Sequence, residues 1–361
     1  DNTGVFDQPS VAINGSEALV AFIGDNAAAG VYKVYYAKVN GGTNFANLSL
    51  VRDNTVILTP PTLVDNTATD SYYDARHPKI AMRSSTEAVI LFQARPTIDN
   101  NFYQPYIAKI KLSGNAVTSI SVKKMVFLSE FDNVDIEDLS FGIVTTDNTA
   151  RIAFGTRSAI GASEPFQVYF ARVGLDNATI VGTPKLLSSL PYTDGLRPLP
   201  SLRLDTLNRS HVAWAADNAT GVSPVYYAMI KETNGIDNVV IAATQVLAGA
   251  FRWGFPSLHV FNNSSIAVIA ADDDTGNIGF VNFNPDSDNQ DGSPVRVATN
   301  TSFFITPPGE LILSDEFNLY RPDTFLDTSG RFHMAGYGVG GTRSTYYAFQ
   351  LISTFPYYQI L

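Results

Sequence analysis

Arginine, aspartate and aromatic residues keep company at four places in this chain: Tyr73-Asp74-Ala75-Arg76-His77, Asp194-Gly195-Leu196-Arg197, Arg252-Trp253 and Tyr320-Arg321. A guanidinium grips a carboxylate through two parallel hydrogen bonds. An aromatic ring covers the apolar face of a sugar, and an aspartate accepts bonds from hydroxyls. The set suits recognition of an acidic or neutral glycan, which makes Tyr73, Asp74, Arg76, Asp194, Arg197, Arg252, Trp253, Tyr320 and Arg321 the ligand-binding candidates. The competing reading is structural: arginines and aspartates of neighbouring repeats pair and brace one another, which perturbs charges without catalysis. For lyase chemistry, a His/Tyr/Arg group is needed, and His77 beside Arg76 and Tyr73 is the one candidate cluster.

Other chemistries are set aside by composition. The chain of 361 residues has no cysteine, so disulfides, thiolate metal sites and Cys nucleophiles are absent together. Its formal net charge of −10 argues against nucleic acid, which needs a basic surface. The four histidines, His77, His211, His259 and His333, are scattered over different repeats, so no metal is expected. Hard oxygen ligands at Ala271-Asp272-Asp273-Asp274-Thr275-Gly276 would suit calcium, but Asp and Asn at turns are accounted for by their local hydrogen bonding. No cofactor motif is present. No apolar run reaches the ~18 residues of a membrane span. The chain starts at Asp1, as expected of a processed, exported protein, and carries Asn-x-Ser/Thr sequons, of which Asn47, Asn177, Asn218 and Asn300 are the glycosylation candidates. These features point to an extracellular or cell-surface location.

The elements that position the candidates repeat. One pattern recurs with starts near 8, 77, 137, 199, 255 and 321: a short run after a proline, a polar turn, a small apolar run, a Gly/Asn/Asp loop and a Tyr-rich run. His211-Val-Ala-Trp214 followed by Val225-Tyr-Tyr-Ala228 shows it most clearly, with close parallels at 19–37 and 332–348. A fourth β-like run precedes the next proline, the last of them at 309–317. Short runs rich in β-branched and aromatic residues, bounded by turn residues, read as strands. Six repeats of four strands predict an all-β protein, a six-bladed β-propeller with four-stranded antiparallel blades, forming a single domain over residues 1–361. The proline is expected at the first residue of its strand, where a missing N–H matters little. In each Tyr doublet, alternation buries one ring and leaves the other nearer solvent. Residues 353–361 are expected to supply a closing strand.

The phrase Pro200-Ser-Leu, a polar turn, His211-Val-Ala-Trp214 and Val225-Tyr-Tyr-Ala228 resembles the repeats of the sialidase-like, Asp-box-type propellers. Intact Asp boxes are missing; Asp327-Thr-Ser-Gly-Arg-Phe-His-Met-Ala-Gly336 is a look-alike in a different turn. The resemblance implies arginines that hold a carboxylate, for which Arg76, Arg197, Arg252 and Arg321 stand as candidates. It also implies a Tyr–Glu nucleophilic pair, for which Glu316, Tyr320 and Arg321 are the catalytic candidates. Three functions remain open: a recognition module for a glycan or an extracellular protein, a glycoside hydrolase or polysaccharide lyase, and a self-assembling subunit of a surface layer or appendage.

Overall fold

The computed structural model describes residues 6–14, 17–25, 31–40, 57–58, 62–64, 72–97, 102–113, 116–126, 131, 134–158, 167–188, 199–215, 223–247, 253–262, 265–272, 278–288, 294–303, 318–326, 331–340 and 342–351. Beyond Asp286, and at some strand positions including Trp253, the description is of backbone alone. Asp194, Arg197, Arg252, Glu316, Asn47, Asn218 and the expected closing strand at 353–361 lie outside the described residues.

The described residues form antiparallel sheets and no α-helix. The first sheet holds β1 (Phe6–Asn14), β2 (Glu17–Asp25) and β3 (Tyr32–Asn40), with the short β4 (Ile57–Leu58) and β5 (Thr62–Leu63) both paired to β3. The second runs β6 (Asp74–Ser84), β7 (Glu87–Arg95), β8 (Gln104–Ser113) and β9 (Ala116–Lys124). The third runs β10 (Val134–Val144), β11 (Thr149–Ser158), β12 (Gln167–Gly174) and β13 (Lys185–Leu186). The fourth runs β14 (Ser201–Leu204), β15 (Ser210–Ala215), β16 (Val225–Thr233) and β17 (Ile236–Leu247). The fifth runs β18 (Trp253–Asn262), β19 (Ser265–Asp272), β20 (Ile278–Asp288) and β21 (Pro294–Phe303). The last shows β22 (Asn318–Leu326), β23 (Arg331–Gly340) and β24 (Thr342–Leu351). The sequence pointed to 309–317 for the fifth sheet's outer strand. That stretch is outside the described residues, and β21, paired antiparallel with β20, fills the role.

The chain divides into two compact units. The first comprises residues 1–161 and 170–184, hence the first two sheets, β10, β11 and most of β12; the second comprises 162–169 and 185–361. Within the first, Leu19, Val34, Tyr36, Ile90, Phe92 and Tyr106 share one buried apolar cluster. Within the second, Ala213, Tyr227, Leu258, Ile266 and Val281 share another.

Four of the prolines occupy a different place from the one expected, whereas Pro200 directly precedes β14. Pro9, Pro78, Pro256 and Pro322 sit inside their first strands, at a β-bulge. The ladder jumps from Asp7 to Ser10, Arg76 to Lys79, Gly254 to Ser257 and Tyr320 to Asp323, so two residues face one. The third sheet jumps likewise from Glu137 to Ser140, with Leu139 in the proline slot. A bulge leaves a residue out of the ladder, which is why a residue with no N–H is tolerated there. The residue before the proline slot adopts left-handed backbone: φ is 50° at His77, 52° at Asp138 and 39° at Leu199.

In the first and second sheets an aromatic residue of the second strand lies opposite the bulge, and in these and in the fourth sheet it stacks across the sheet on the third. Phe22 pairs with Tyr35, Phe92 with Tyr106 and Trp214 with Tyr226, at centroid separations of 6.1, 5.6 and 6.0 Å. Such pairs add roughly 0.5–1.5 kcal/mol beyond area burial. The second ring of each doublet, Tyr36 or Tyr227, points to the opposite face and is buried, while Tyr35 and Tyr226 are half-buried, as alternation requires. First strands of successive sheets are laced by serine. The Ile80 N–H donates to Ser10 Oγ and the Leu258 N–H to Ser201 Oγ, both at 3.1 Å and both from equivalent positions just past the bulge.

Candidate functional site

In the first unit the sequence candidates Tyr73, Asp74 and Arg76 come together at the start of β6. Antiparallel register sets Asp74 against Arg95 and Arg76 against Gln93. Arg95 donates to Asp74 Oδ2 at 3.0 Å, and the Tyr103 hydroxyl donates to the same oxygen at 2.5 Å. Asp74 Oδ1 accepts the Tyr32 N–H of β3 at 3.0 Å. At Asp74 the ion pair forms inside one sheet, because the ladder itself apposes the two residues. Among the described residues, the first sheet contributes the Tyr32 N–H to it.

Arg76 is fixed in three ways. It projects from the bulged end of β6, its Nε donates to Gln93 Oε1 at 2.8 Å, and its guanidinium lies 3.6 Å from the Tyr103 ring centroid. Arg95 stands 5.6 Å from the Tyr73 ring and 5.5 Å from that of Tyr103. Tyr103 is tied further by its carbonyl, which accepts the Ile136 N–H of β10 at 3.2 Å. Burial, reinforced by the bond to Asp74, pushes the Tyr103 hydroxyl above its ordinary pKa, with Arg76 and Arg95 opposing, so it stays protonated. Tyr73, Arg76, Arg95 and Tyr103 all retain partial exposure.

His77, in the bulge, completes the group. Its Nδ1 faces Gln93 Oε1 at 3.2 Å and Asp138 Oδ1 at 3.5 Å. Arginine carries donors only, so the Gln93 oxygen is the atom that faces Arg76. That oxygen and the Asp138 carboxylate are acceptors, so Nδ1 carries the proton in the neutral ring and the lone pair sits on Nε2. Gln93 Nε2 is buried without a hydrogen-bond partner, as is Arg95 Nε. A buried unsatisfied donor costs about 1–3 kcal/mol.

Gln93, Tyr103 and Tyr32 were not singled out from the sequence. The signal for Gln93 was a polar residue inside the apolar run Ala88-Val-Ile-Leu-Phe-Gln-Ala94. Tyr103 and Tyr32 are brought in only by register and sheet packing.

In the second unit Trp253 pairs with Asp272, Tyr320 pairs with Tyr337, and Arg321 occupies the bulge slot that holds His77 in the second sheet. Their side chains are outside the description. Of the sequons, Asn177 lies exposed in a turn with its Oδ1 accepting the Thr179 N–H at 3.2 Å, and Asn300 lies in β21 opposite Phe280. Among the described residues no group of three His, Asp or Glu gathers as metal ligands would. No helix among the described residues is long and apolar enough to cross a membrane.

The second unit has a polar network of its own at the turn between β14 and β15. Asp205 Oδ1 accepts the Leu207 and Arg209 N–H groups, both at 2.9 Å. Its Oδ2 accepts Arg209 Nε at 2.5 Å and faces His211 Nε2 at 3.3 Å. Arg209 also pairs with Asp286 of β20. His211 Nδ1 lies 2.7 Å from the Tyr227 hydroxyl. Burial raises the Asp205 carboxyl, but the bonds from His211 and Arg209 outweigh it and hold the pKa at about 2. Burial pulls His211 below its ordinary value despite Asp205, so the ring is neutral, donating from Nε2 and accepting from Tyr227 at Nδ1.

Comparison with known proteins bears on the fold. No family model matches the chain, and no curated protein matches it. Solved structures do. The sialidase of Trypanosoma rangeli in complex with sialic acid superposes with a TM-score of 0.51 at 9% identity, over 96% of this chain and 54% of that one. The chain therefore spans about half the length of the sialidase. The α-L-arabinanase of Penicillium chrysogenum complexed with arabinobiose gives 0.54 at 8% identity, covering 98% and 96%. A protein of unknown function from Dyadobacter fermentans gives 0.52 at 10%, covering 97% and 95%. The sialidase and the arabinanase are β-propellers, and at these identities the likeness is one of fold alone.

Proposed function

We propose that this chain is a secreted or cell-surface β-propeller module of six four-stranded blades that binds a glycan, with a binding site in the first unit built on Tyr73, Asp74 and Arg76. The observation that carries the reading is the anchoring of Arg76. A partly exposed guanidinium is held over the Tyr103 ring and tied through Nε, with the half-buried Tyr73 just before the same strand. Immobilised aromatic and guanidinium surface is what sugar recognition needs, because little side-chain entropy is lost on binding. The solved structures with this fold include proteins complexed with sialic acid and with arabinobiose, which supports a sugar ligand. In the second unit, Asp194, Arg197, Arg252, Trp253, Tyr320 and Arg321 are proposed as ligand contacts on that unit. The exposed Asn177 sequon supports an extracellular setting.

A glycan array tests the reading. Arg76→Ala is expected to weaken binding about tenfold or more, the scale of one lost charge-assisted contact. Unchanged binding after that substitution and Tyr73→Ala would show that the first-unit site is not used; binding only to proteins would replace the glycan with a protein partner. The second reading is a glycan-cleaving enzyme, favoured by the contact of His77 with Asp138 and by the glycosidases among the structures that share the fold.

A further inference from the structure

We propose that the first-unit site takes a neutral glycan, with Arg95 and Tyr73 meeting the sugar hydroxyls and Asp74 serving as the buried residue that positions and neutralises Arg95. The inference rests on the glycan-binding reading above and names its ligand class and a further contact residue.

Asp74 is too enclosed to meet a ligand. Its side chain is 6% exposed. Arg95 Nη2 and the Tyr103 hydroxyl donate to one oxygen and the Tyr32 N–H to the other. A carboxylate caged by donors acts through what it holds. The group it holds towards solvent is Arg95, whose side chain is 25% exposed.

Arg95 has one end committed and one end open. Its Nη2 is given to Asp74, and its Nε is buried without a partner. Among the described residues Nη1 has no hydrogen-bond partner either, and unlike Nε it is not a buried atom, so it reaches solvent. The Tyr73 hydroxyl is open in the same sense. The backbone brings the two residues together, because the Tyr73 N–H donates to the Arg95 carbonyl at 2.7 Å. The guanidinium stands 5.6 Å from the Tyr73 ring centroid and 5.5 Å from that of Tyr103. Two rings and one carboxylate fix its direction before any ligand arrives, so little entropy is lost on binding.

The charge of the pair decides the ligand class. Asp74 and Arg95 lie 3.0 Å apart and cancel, so Nη1 offers a directed N–H with little net charge behind it. A sugar hydroxyl can accept from it and is cheap to strip of water. A sugar carboxylate in the same place must shed a tighter water shell for a cation that is already matched, and it meets the negative charge of Asp74 behind that cation. The phenolic hydroxyl of Tyr73 both donates and accepts, which suits a second sugar hydroxyl.

The test uses the full chain in affinity gels, with arabinan, galactomannan and xyloglucan as neutral polymers and polygalacturonate and alginate as acidic ones. At least one neutral polymer is expected to be bound, with an affinity that changes by less than about twofold as salt rises about tenfold. Arg95→Lys keeps a cation beside Asp74 but has no Nη1, and is expected to weaken that binding by about tenfold or more. Tyr73→Phe keeps the ring and loses the hydroxyl, and is expected to weaken it by about threefold. Asp74→Asn leaves the Arg95 charge unmatched, and is expected to shift preference towards the acidic polymers by about tenfold, which loosened packing alone does not do. Arg95→Lys and Tyr73→Phe carry the test if Asp74→Asn does not fold. Binding of acidic polymers alone, or binding abolished by salt, would overturn the neutral class and leave glycan recognition intact. Undiminished neutral binding in both Arg95→Lys and Tyr73→Phe would overturn the assignment of the contacts. Unchanged preference in a folded Asp74→Asn would overturn the role of Asp74. Binding of no glycan at all would remove the proposed function itself.

Discussion

The two units each build a cluster from the same kinds of residue, His, Asp, Arg and Tyr, and the two clusters differ in how completely they are satisfied. In the second unit Asp205 receives four donors, His211 is bonded through both nitrogens, and Arg209 bridges Asp205 to Asp286. The side chains of Asp205 and His211 are 0% exposed. In the first unit Gln93 and Arg95 each keep a buried nitrogen without a partner, and Tyr73, Arg76 and Arg95 reach solvent. The same chemistry therefore serves as a clasp in one place and as a presented surface in the other. Residue type does not decide between them; the closure of the hydrogen-bond count does.

The sharpest way to break that contrast is Asp205→Ala. It takes the acceptor from His211 Nε2 and two backbone N–H groups and removes one of the carboxylate partners of Arg209, and is expected to cost about 3–5 kcal/mol in urea unfolding. A loss below about 1 kcal/mol would mean that the network is not a clasp. The pH dependence has a defined sign. Asp205 titrates at about 2 when folded and near 3.8 when unfolded, so its contribution is present above pH 4 and lost as pH falls towards 2. His211 is also depressed when folded, from 6.5, so its contribution is present above that value and begins to be lost as pH falls below it. His211→Gln should flatten the upper limb and Asp205→Asn the lower one, as read from urea midpoints across pH.

Smaller effects sharpen the comparison. Ser201→Ala or Ser10→Ala leaves one N–H of the next first strand unsatisfied and should cost about 1–3 kcal/mol in either unit. If the two values match, the lacing is equivalent and the units differ only in their clusters. Arg76→Ala should change stability least, by less than about 1 kcal/mol, since the group is partly exposed. A loss as large as that of Asp205→Ala would make the first-unit cluster a clasp too. Arg76→Lys should not restore glycan binding, because an ammonium cannot stack flat on Tyr103 while offering a fork.

Much of the architecture was legible in the chain. Repetition, strand-length runs and Tyr doublets announced antiparallel sheets, and the buried Tyr227 beside the half-buried Tyr226 follows from alternation alone. The bulge was not legible, since Pro78 inside a strand and Pro78 at the start of one read alike until the partner's register is known. The site was half legible. Tyr73, Asp74 and Arg76 lie within four residues of one another, whereas Gln93 joins them from the paired strand and Tyr103 from the position before β8, which sequence spacing does not encode. The clasp was missed for the reverse reason: Asp205 and Arg209 looked like ordinary turn residues, and Asp286 comes from another sheet.

The left-handed slot before the proline has a further consequence. His77, Asp138 and Leu199 occupy it in three sheets with nearly the same φ, and Leu199 has no polar group to offer. The conformation is therefore a property of the scaffold and not of the residue, so each of these three sheets supplies an interchangeable socket from which a side chain is displayed at a preset angle. Such sockets let a new functional group be exchanged one repeat at a time without redesigning the sheet beneath it, and Leu199 is the place to begin.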